Sequence, residues 1–121
     1  MKTLAIRGAT VAEDNTVSAI SDAACELFLA IIKENHLNSD DIISANFTMT
    51  DDLNEVNPAK CIREKLGYTD IPFLCYQELN IKNSLSKCIR IILLVNSDLE
   101  KSAVKHIYLK EAKNLRPDIQ N

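Results

Sequence analysis

Two arginines stand in apolar surroundings and are the positions best suited to chemistry. Arg90 lies within the apolar segment 88–95, and Arg7 precedes Gly8 and Ala9, whose small side chains leave room for a molecule close to the backbone. A guanidinium keeps its proton when it leaves water, so each arginine must meet an anion or solvent. The pair predicts a pocket for carboxylates. A structural ion pair or an outward-facing strand edge is the alternative interpretation.

Glu78 and Cys75 lie towards the end of a candidate strand over 71–78. Glu78 can accept a hydrogen bond from a hydroxyl or pair with one of the arginines, although a solvated charge is the simpler interpretation. Strand alternation places Cys75 and Glu78 on opposite faces, unless the strand end bulges or bends or adjacent subunits share one site.

Further cations and one tyrosine are weaker candidates. Lys60 and Arg63 lie three positions apart on a short candidate helix, opposite its apolar side, where such pairs are commonly solvated. Tyr108 is as compatible with packing as with ligand contact, and Arg116 is compatible with simple helix-end electrostatics. The chain has no glycine-rich phosphate loop, nucleophile elbow or paired acidic motif, so the sequence offers no obvious nucleophile and base.

Composition predicts one soluble globular domain spanning 1–121. Of the 121 residues, 46% are hydrophobic and 26% charged, and only 2 are Gly and 3 Pro, which argues against linkers and disorder. The net charge of -3 excludes a strongly basic nucleic-acid surface. No apolar stretch is long enough to span a membrane, so we expect a cytoplasmic protein. The 4 Cys form no C-x-x-C pair, which favours buried thiols over a metal site or a disulfide scaffold.

Hydrophobic spacing predicts the first half of the fold. A strand is expected over 4–11, followed by a helix over 16–36 capped by Asn15 or Thr16. The next strand carries apolar residues at alternate positions with polar residues between them, which is typical of a sheet with one wetter face. The apolar set is Ile43, Ala45, Phe47 and Met49, and the polar set is Ser44, Asn46, Thr48 and Thr50.

The second half is predicted by caps and apolar runs. Asn57 and Pro58 begin a short helix that Gly67 ends. Strands follow over 71–78 and 87–96, and Ser97 with Glu100 has the capping-box pattern of another short helix before 106–109 and a turn at 110–115.

This order favours an α+β fold, a mixed β-sheet with helices on one face. Both sides of 87–96 are apolar, so the uncovered face of the sheet needs cover, and association between subunits is the simplest source of it.

Six segments in order resemble the monofunctional trimeric chorismate mutases. They are 6–10 (IRGAT), 58–60 (PAK), Cys75 with 77–78 (QE), 87–90 (KCIR), 106–109 (HIYL) and 115–118 (LRPD). The resemblance covers nearly the whole chain. It implies a homotrimeric pseudo-α/β-barrel with active sites between subunits, which converts chorismate to prephenate in aromatic amino-acid biosynthesis without a cofactor, a metal or a covalent intermediate.

The resemblance also implies residue roles. Arg90 would bind a carboxylate and the ether oxygen, Arg7 would bind the other carboxylate region, and Glu78 would accept from the ring hydroxyl. Cys75 and Tyr108 would complete the polar wall of the catalytic set. Substrate binding would further involve the cations Lys60, Arg63 and Arg116 and the apolar residues Ala59, Phe73, Leu74 and Leu115.

The chain departs from the family pattern at three places. Asn57 stands where an aromatic residue is expected, Leu74 stands where a smaller polar one is expected, and 83–84 replaces a glycine-containing turn. Two other hypotheses remain: a non-catalytic ligand-binding or regulatory trimer on the same scaffold, and a trimeric imine deaminase of the Rid type. The joint presence of the catalytic arginines, Glu78 and Tyr108 favours the enzyme.

Overall fold

A computed structural model describes residues 1–119 of the chain, so the last two residues of the predicted domain lie outside the described residues. The strands are β1 (Lys2–Val11), β2 (Ile42–Met49), β3 (Phe73–Gln77), β4 (Cys88–Ser97) and β5 (Ile107–Tyr108), and the α-helices are α1 (Val17–Glu34) and α2 (Pro58–Leu66). Short 3-10 helices occur at Ser39–Asp41, Lys101–Ala103, Lys110–Asn114 and Pro117–Ile119.

One mixed sheet joins all five strands in the order β3-β2-β4-β1-β5. The central strand β4 pairs antiparallel with both β1 and β2, whereas β3 pairs parallel with β2 and β5 pairs parallel with β1. The predicted α+β class with a mixed sheet is therefore confirmed. The most apolar strand occupies the centre, where both of its edges are hydrogen-bonded.

Both α-helices cover the same face of the sheet and enclose the core. The buried side of α1 contributes Leu27, Phe28 and Ile31, and α2 contributes Ile62. Alternate residues of β4, including Ile91, reach this core. No helix within residues 1–119 is long and apolar enough to cross a membrane.

The predicted caps account for the start of both helices and for the end of α2. The Thr16 hydroxyl accepts from the Ala19 N–H, which selects Thr16 over Asn15 as the cap of α1. Asn57 caps α2 through its side-chain oxygen, and Gly67 ends that helix with a left-handed φ of 77°.

Two local predictions were wrong. Ile43 is exposed, because a register shift between Ile42 and Ser44 in the β2–β4 pairing lets Ile42 take the buried place. Ser97 does not begin a helix, because it lies in β4 and its hydroxyl accepts from the Leu99 N–H. The short 3-10 turn that follows begins later, at Lys101.

The other face of the sheet is open in the single chain and bears exposed apolar side chains. Leu74 is 60% exposed, Tyr76 51% and Ile92 47%. These residues share their face with Arg7 and Arg90, since strand alternation separates them from the core residues. The open face is therefore both apolar and cationic.

We expect Phe28→Ala to lower the free energy of unfolding by about 3–5 kcal/mol. The Phe28 ring is fully buried and lies with its centroid 5.0 Å from that of Tyr68 and 6.4 Å from that of Phe73, so truncation opens a cavity between α1 and the sheet. Urea unfolding at fixed protein concentration measures the change.

Leu29→Ala provides the control, because Leu29 is the next residue of the same helix and is 46% exposed. Its unfolding free energy should change by less than about 1 kcal/mol. Equal losses in the two variants would contradict the assignment of the core.

Candidate active site

The open face contains a cleft of about 480 Å³ across the middle of the sheet. Besides Gly8, its walls consist of charged, polar, aromatic and aliphatic side chains: Arg7, Asn46, Thr48, Tyr76, Glu78, Arg90, Ile92 and Tyr108. Four residues that the sequence analysis selected for catalysis thus lie together: Arg7, Glu78, Arg90 and Tyr108.

Strand register explains why these residues meet. One row of paired residues crosses all five strands: Tyr108, Ala9, Arg90, Thr48 and Tyr76. Arg7 pairs with Ile92, two positions from Arg90 on β4, so the arginines are diagonal neighbours on adjacent strands. The small side chain of Ala9 leaves a gap in the row between Arg90 and Tyr108.

Arg90 contacts Glu78 without being fixed to it. Its Nη1 lies 3.4 Å from Glu78 Oε1, and the side chains are 41% and 25% exposed respectively. The Thr48 hydroxyl lies 3.3 Å from the same oxygen. A contact this long between partly solvated groups is a weak ion pair. The other guanidinium N–H groups of Arg90 and the second oxygen of Glu78 have no hydrogen bond to residues 1–119, so they are available to a ligand in the cleft.

Arg7 presents an uncommitted guanidinium to the same cleft. Its side chain is exposed and makes no hydrogen bond or ion pair with the described part of the chain. Its backbone is held, because the Arg7 N–H donates to His106 Nδ1 at 2.9 Å. Two cations therefore converge on one cavity that contains one carboxylate.

Tyr108 lines the cleft from the edge strand β5. It is buried in a small cluster with Ala9 and Ala112, against which Leu115 packs. Nearby, Arg116 makes a bidentate ion pair with Asp118, with Nε to Oδ1 at 3.0 Å and Nη2 to Oδ2 at 2.9 Å. Leu115 thus packs behind Tyr108 without lining the cleft, and Arg116 is bound to an exposed carboxylate.

Cys75 lies on the covered face, away from Glu78, as strand alternation predicts. Its Sγ donates to Asn57 Oδ1 at 2.9 Å, and the same oxygen accepts from the Ala59 N–H at 2.8 Å. Burial is the main cause that raises the pKa of the Cys75 thiol. Asn57, one of the three departures from the family pattern, is therefore both a helix cap and a partner of this thiol.

The remaining predicted residues are divided between the two faces. Ala59 is a buried residue of α2, and Phe73 packs against the core rings, whereas Leu74 projects from the open face of the edge strand β3. Lys60 and Arg63 are exposed on α2. None of these five residues lines the cleft that contains Arg90.

Sequence reasoning missed three residues whose polar side chains line the cleft. Asn46 and Thr48 were recognised only as the wetter side of β2, and Tyr76 was not selected. The alternating polar positions of β2 could have indicated Asn46 and Thr48, but only with the knowledge that β2 lies beside β4 in the sheet. Within residues 1–119 no group of three or more His, Cys, Asp or Glu side chains is arranged to hold a metal ion.

Cys88 lies at the start of β4, on the same face as Arg90, and is not activated. Burial raises the pKa of its thiol to about 11, and the Arg90 charge only partly opposes this effect. The thiol is thus protonated at neutral pH and is a poor nucleophile.

We expect iodoacetamide at about pH 8 to alkylate Cys88 much more slowly in the native protein than in urea-unfolded protein, since both thiolate fraction and access increase on unfolding. Peptide mass spectrometry after timed quenching measures the two rates. Equal rates would contradict the burial and protonation state of this thiol.

Comparison with known proteins places this arrangement in a family. The family model for chorismate mutase type I matches residues 3–119. Chorismate mutase AroH of Bacillus subtilis (strain 168) is 38% identical over 114 residues, which cover 94% of this chain and 90% of that protein. Chorismate mutase AroH of Thermus thermophilus is 37% identical over 117 residues, 96% of this chain and 95% of that protein.

A solved structure agrees with these sequence matches. The chorismate mutase from Clostridium thermocellum superimposes with a TM-score of 0.88 at 42% sequence identity, over 90% of this chain and 96% of that chain. The chain therefore belongs to the chorismate mutase type I family.

Proposed function

We propose that this chorismate mutase rearranges chorismate to prephenate in the cleft on the open face of the sheet, with Arg90 as the principal catalytic residue. The observation that carries the proposal is the position of the Arg90 guanidinium. It rises from an apolar strand into a cavity, and its contact with Glu78 is weak enough for a substrate anion to compete with it.

The reaction needs little from the protein beyond position and charge. One C–O bond of the substrate breaks as one C–C bond forms in the same molecule, so no nucleophile, proton donor or cofactor is required. Negative charge accumulates on the ether oxygen as the C–O bond lengthens. A guanidinium already in place stabilises that charge in the transition state more than in the ground state.

The planar fork of Arg90 can donate to the ether oxygen and to a neighbouring carboxylate together. Arg7 binds the other carboxylate region with its uncommitted guanidinium. Glu78 accepts a hydrogen bond from the ring hydroxyl of the substrate, through the carboxylate oxygen that Thr48 and Arg90 do not contact. Tyr108 closes the wall beside Ala9, and together these contacts hold the substrate in a reactive conformer.

We infer that the functional unit is a homotrimer, a pseudo-α/β-barrel in which neighbouring subunits share each site. The open face leaves Leu74, Tyr76 and Ile92 exposed, which association would cover. The covered face and α2 carry the candidates that lie outside the Arg90 cleft of their own chain: Ala59, Lys60, Arg63, Phe73 and Cys75.

In such an assembly the α2 side of one subunit borders the Arg90 cleft of its neighbour. Lys60 and Arg63 then form a cationic rim with Arg116, while Ala59, Phe73, Leu74 and Leu115 provide apolar contact and Cys75 completes the polar wall. Cys75 and Glu78 lie on opposite faces of one chain, but they can serve the same kind of site if each site takes Cys75 from one subunit and Glu78 from its neighbour.

We expect Arg90→Lys to keep its oligomeric state but to lose turnover by about a hundredfold or more, equivalent to roughly 3 kcal/mol of transition-state stabilisation. An ammonium keeps the charge but cannot hold the ether oxygen and the carboxylate in one plane. The loss of ultraviolet absorbance of chorismate measures turnover, and light scattering measures the oligomer.

Lys101→Arg makes the reverse exchange in an exposed 3-10 segment outside the cleft and should leave turnover unchanged. Near-normal activity of Arg90→Lys would remove Arg90 from the mechanism. Saturable chorismate binding by the wild-type chain without any turnover would favour the regulatory trimer instead.

Mixed oligomers test whether subunits share a site. We expect Lys60→Ala and Arg90→Ala each to reduce activity alone, because each removes a cation from every site. When the two variants are co-refolded, some sites combine the intact Lys60 of one chain with the intact Arg90 of the next. Activity of the mixture should therefore exceed the sum of the separately refolded variants.

A mixture of Arg7→Ala with Arg90→Ala serves as the control, since both residues line the cleft of one chain and mixing cannot produce a subunit with both defects repaired. No gain in the Lys60 and Arg90 mixture would contradict the shared site, and sedimentation at the mass of a monomer would contradict the trimer.

A further inference from the structure

The hydrogen bond from the Arg7 N–H to His106 Nδ1 joins the backbone of a cleft arginine to a side chain outside the cleft. β5 has only two residues, paired with Gly8 and Ala9, and the Leu109 N–H donates to the Ala9 carbonyl. The strand pairing therefore ends before Arg7. At that position the imidazole supplies the acceptor, at 2.9 Å, and so extends the support of β1 by one residue.

Nδ1 can accept this bond only when the imidazole is neutral, with its proton on Nε2. Burial lowers the pKa of His106, and the positive charges of Arg7 and Arg116 lower it further. The charged groups around the ring come from every neighbouring element, and most are cations: Arg7, Lys33, Glu34, Lys105, Lys113 and Arg116. The neutral acceptor is therefore the form present at neutral pH.

The bond matters because the Arg7 side chain has no hydrogen bond of its own to residues 1–119. In the absence of substrate the direction of its guanidinium therefore depends strongly on how the Arg7 backbone is held. The backbone on one side of Arg7 is fixed by pairing with β4, where Arg7 faces Ile92, and on the other side by His106. Removing the imidazole leaves the N–H without its acceptor at an edge of the sheet.

We propose that His106 is a positioning residue for the rearrangement: by accepting the Arg7 N–H, it holds Arg7 in register with Arg90 across the cleft. The inference rests on the proposed function, in which Arg7 binds a substrate carboxylate. His106 touches neither the cleft nor the reacting atoms, so its effect on the reaction passes through Arg7.

Replacing the acceptor tests the proposal directly. We expect His106→Leu to lower kcat/KM for chorismate by up to about a hundredfold, the cost of a misplacement of about 1 Å. His106→Asn places a carboxamide oxygen near the position of Nδ1 and should recover most of that loss. His36→Asn, at the exposed second histidine with its positive φ of 51°, should behave as the wild type.

The pH profile separates the acceptor from simple packing. In the wild type, kcat/KM should fall as the pH drops below the ordinary histidine range, because a protonated imidazole has no lone pair for the Arg7 N–H. His106→Asn cannot titrate and should lose that component of the decline. An identical acidic limb in both proteins would overturn the proposal.

A double-mutant cycle with Arg7→Ala tests whether the loss of kcat/KM in His106→Leu passes through Arg7. Once Arg7 is truncated, His106→Leu should cause little further loss, whereas a general structural defect would lower both backgrounds equally. Equal losses would overturn the inference, as would normal kcat/KM in His106→Leu. If that variant does not fold, as judged by circular dichroism, the profile of His106→Asn decides alone. Absence of turnover in the wild type would instead contradict the proposed function.

Discussion

The structure depends on one electrostatic constraint: Arg90 keeps a full positive charge on the most apolar strand of the sheet. A guanidinium there must stay hydrated or meet an anion, because it cannot become neutral. The fold meets this requirement only in part, because Arg90 has one long contact with Glu78 and otherwise faces the open cleft. Complete satisfaction by an internal carboxylate would have left nothing to offer a substrate. The weak contact between Arg90 and Glu78 thus leaves Arg90 able to bind a substrate anion more strongly.

The sequence predicted the elements well because local patterns specify them. Thr16 and Asn57 cap their helices, and Gly67 ends the second. Strand order was not predictable in this way. β4 pairs with β1 and β2 through long-range contacts that no local spacing records, so Asn46, Thr48 and Tyr76 could not be assigned to the cleft.

Local exceptions also set the limit of pattern reasoning. The bulge at Ile43 exchanges two neighbouring isoleucines between faces, and composition does not distinguish them. Asn83, in the loop where the family pattern has a glycine-containing turn, has a φ of 66°. Asparagine tolerates this left-handed conformation better than most residues, so this departure keeps the backbone shape. The His106 acceptor left no signal at all, since it depends on where a two-residue strand stops.

Gly8 separates the cleft from α1 by a single layer of backbone. A Cβ built there would lie 2.7 Å from Ile31 Cδ1, 3.0 Å from Ile91 Cγ2 and 3.1 Å from Leu27 Cδ1. Any larger residue must displace these methyl groups and with them the contact between helix and sheet. A library randomised at this codon should therefore yield few active clones, and the floor of the cavity should resist redesign more strongly than its charged walls do.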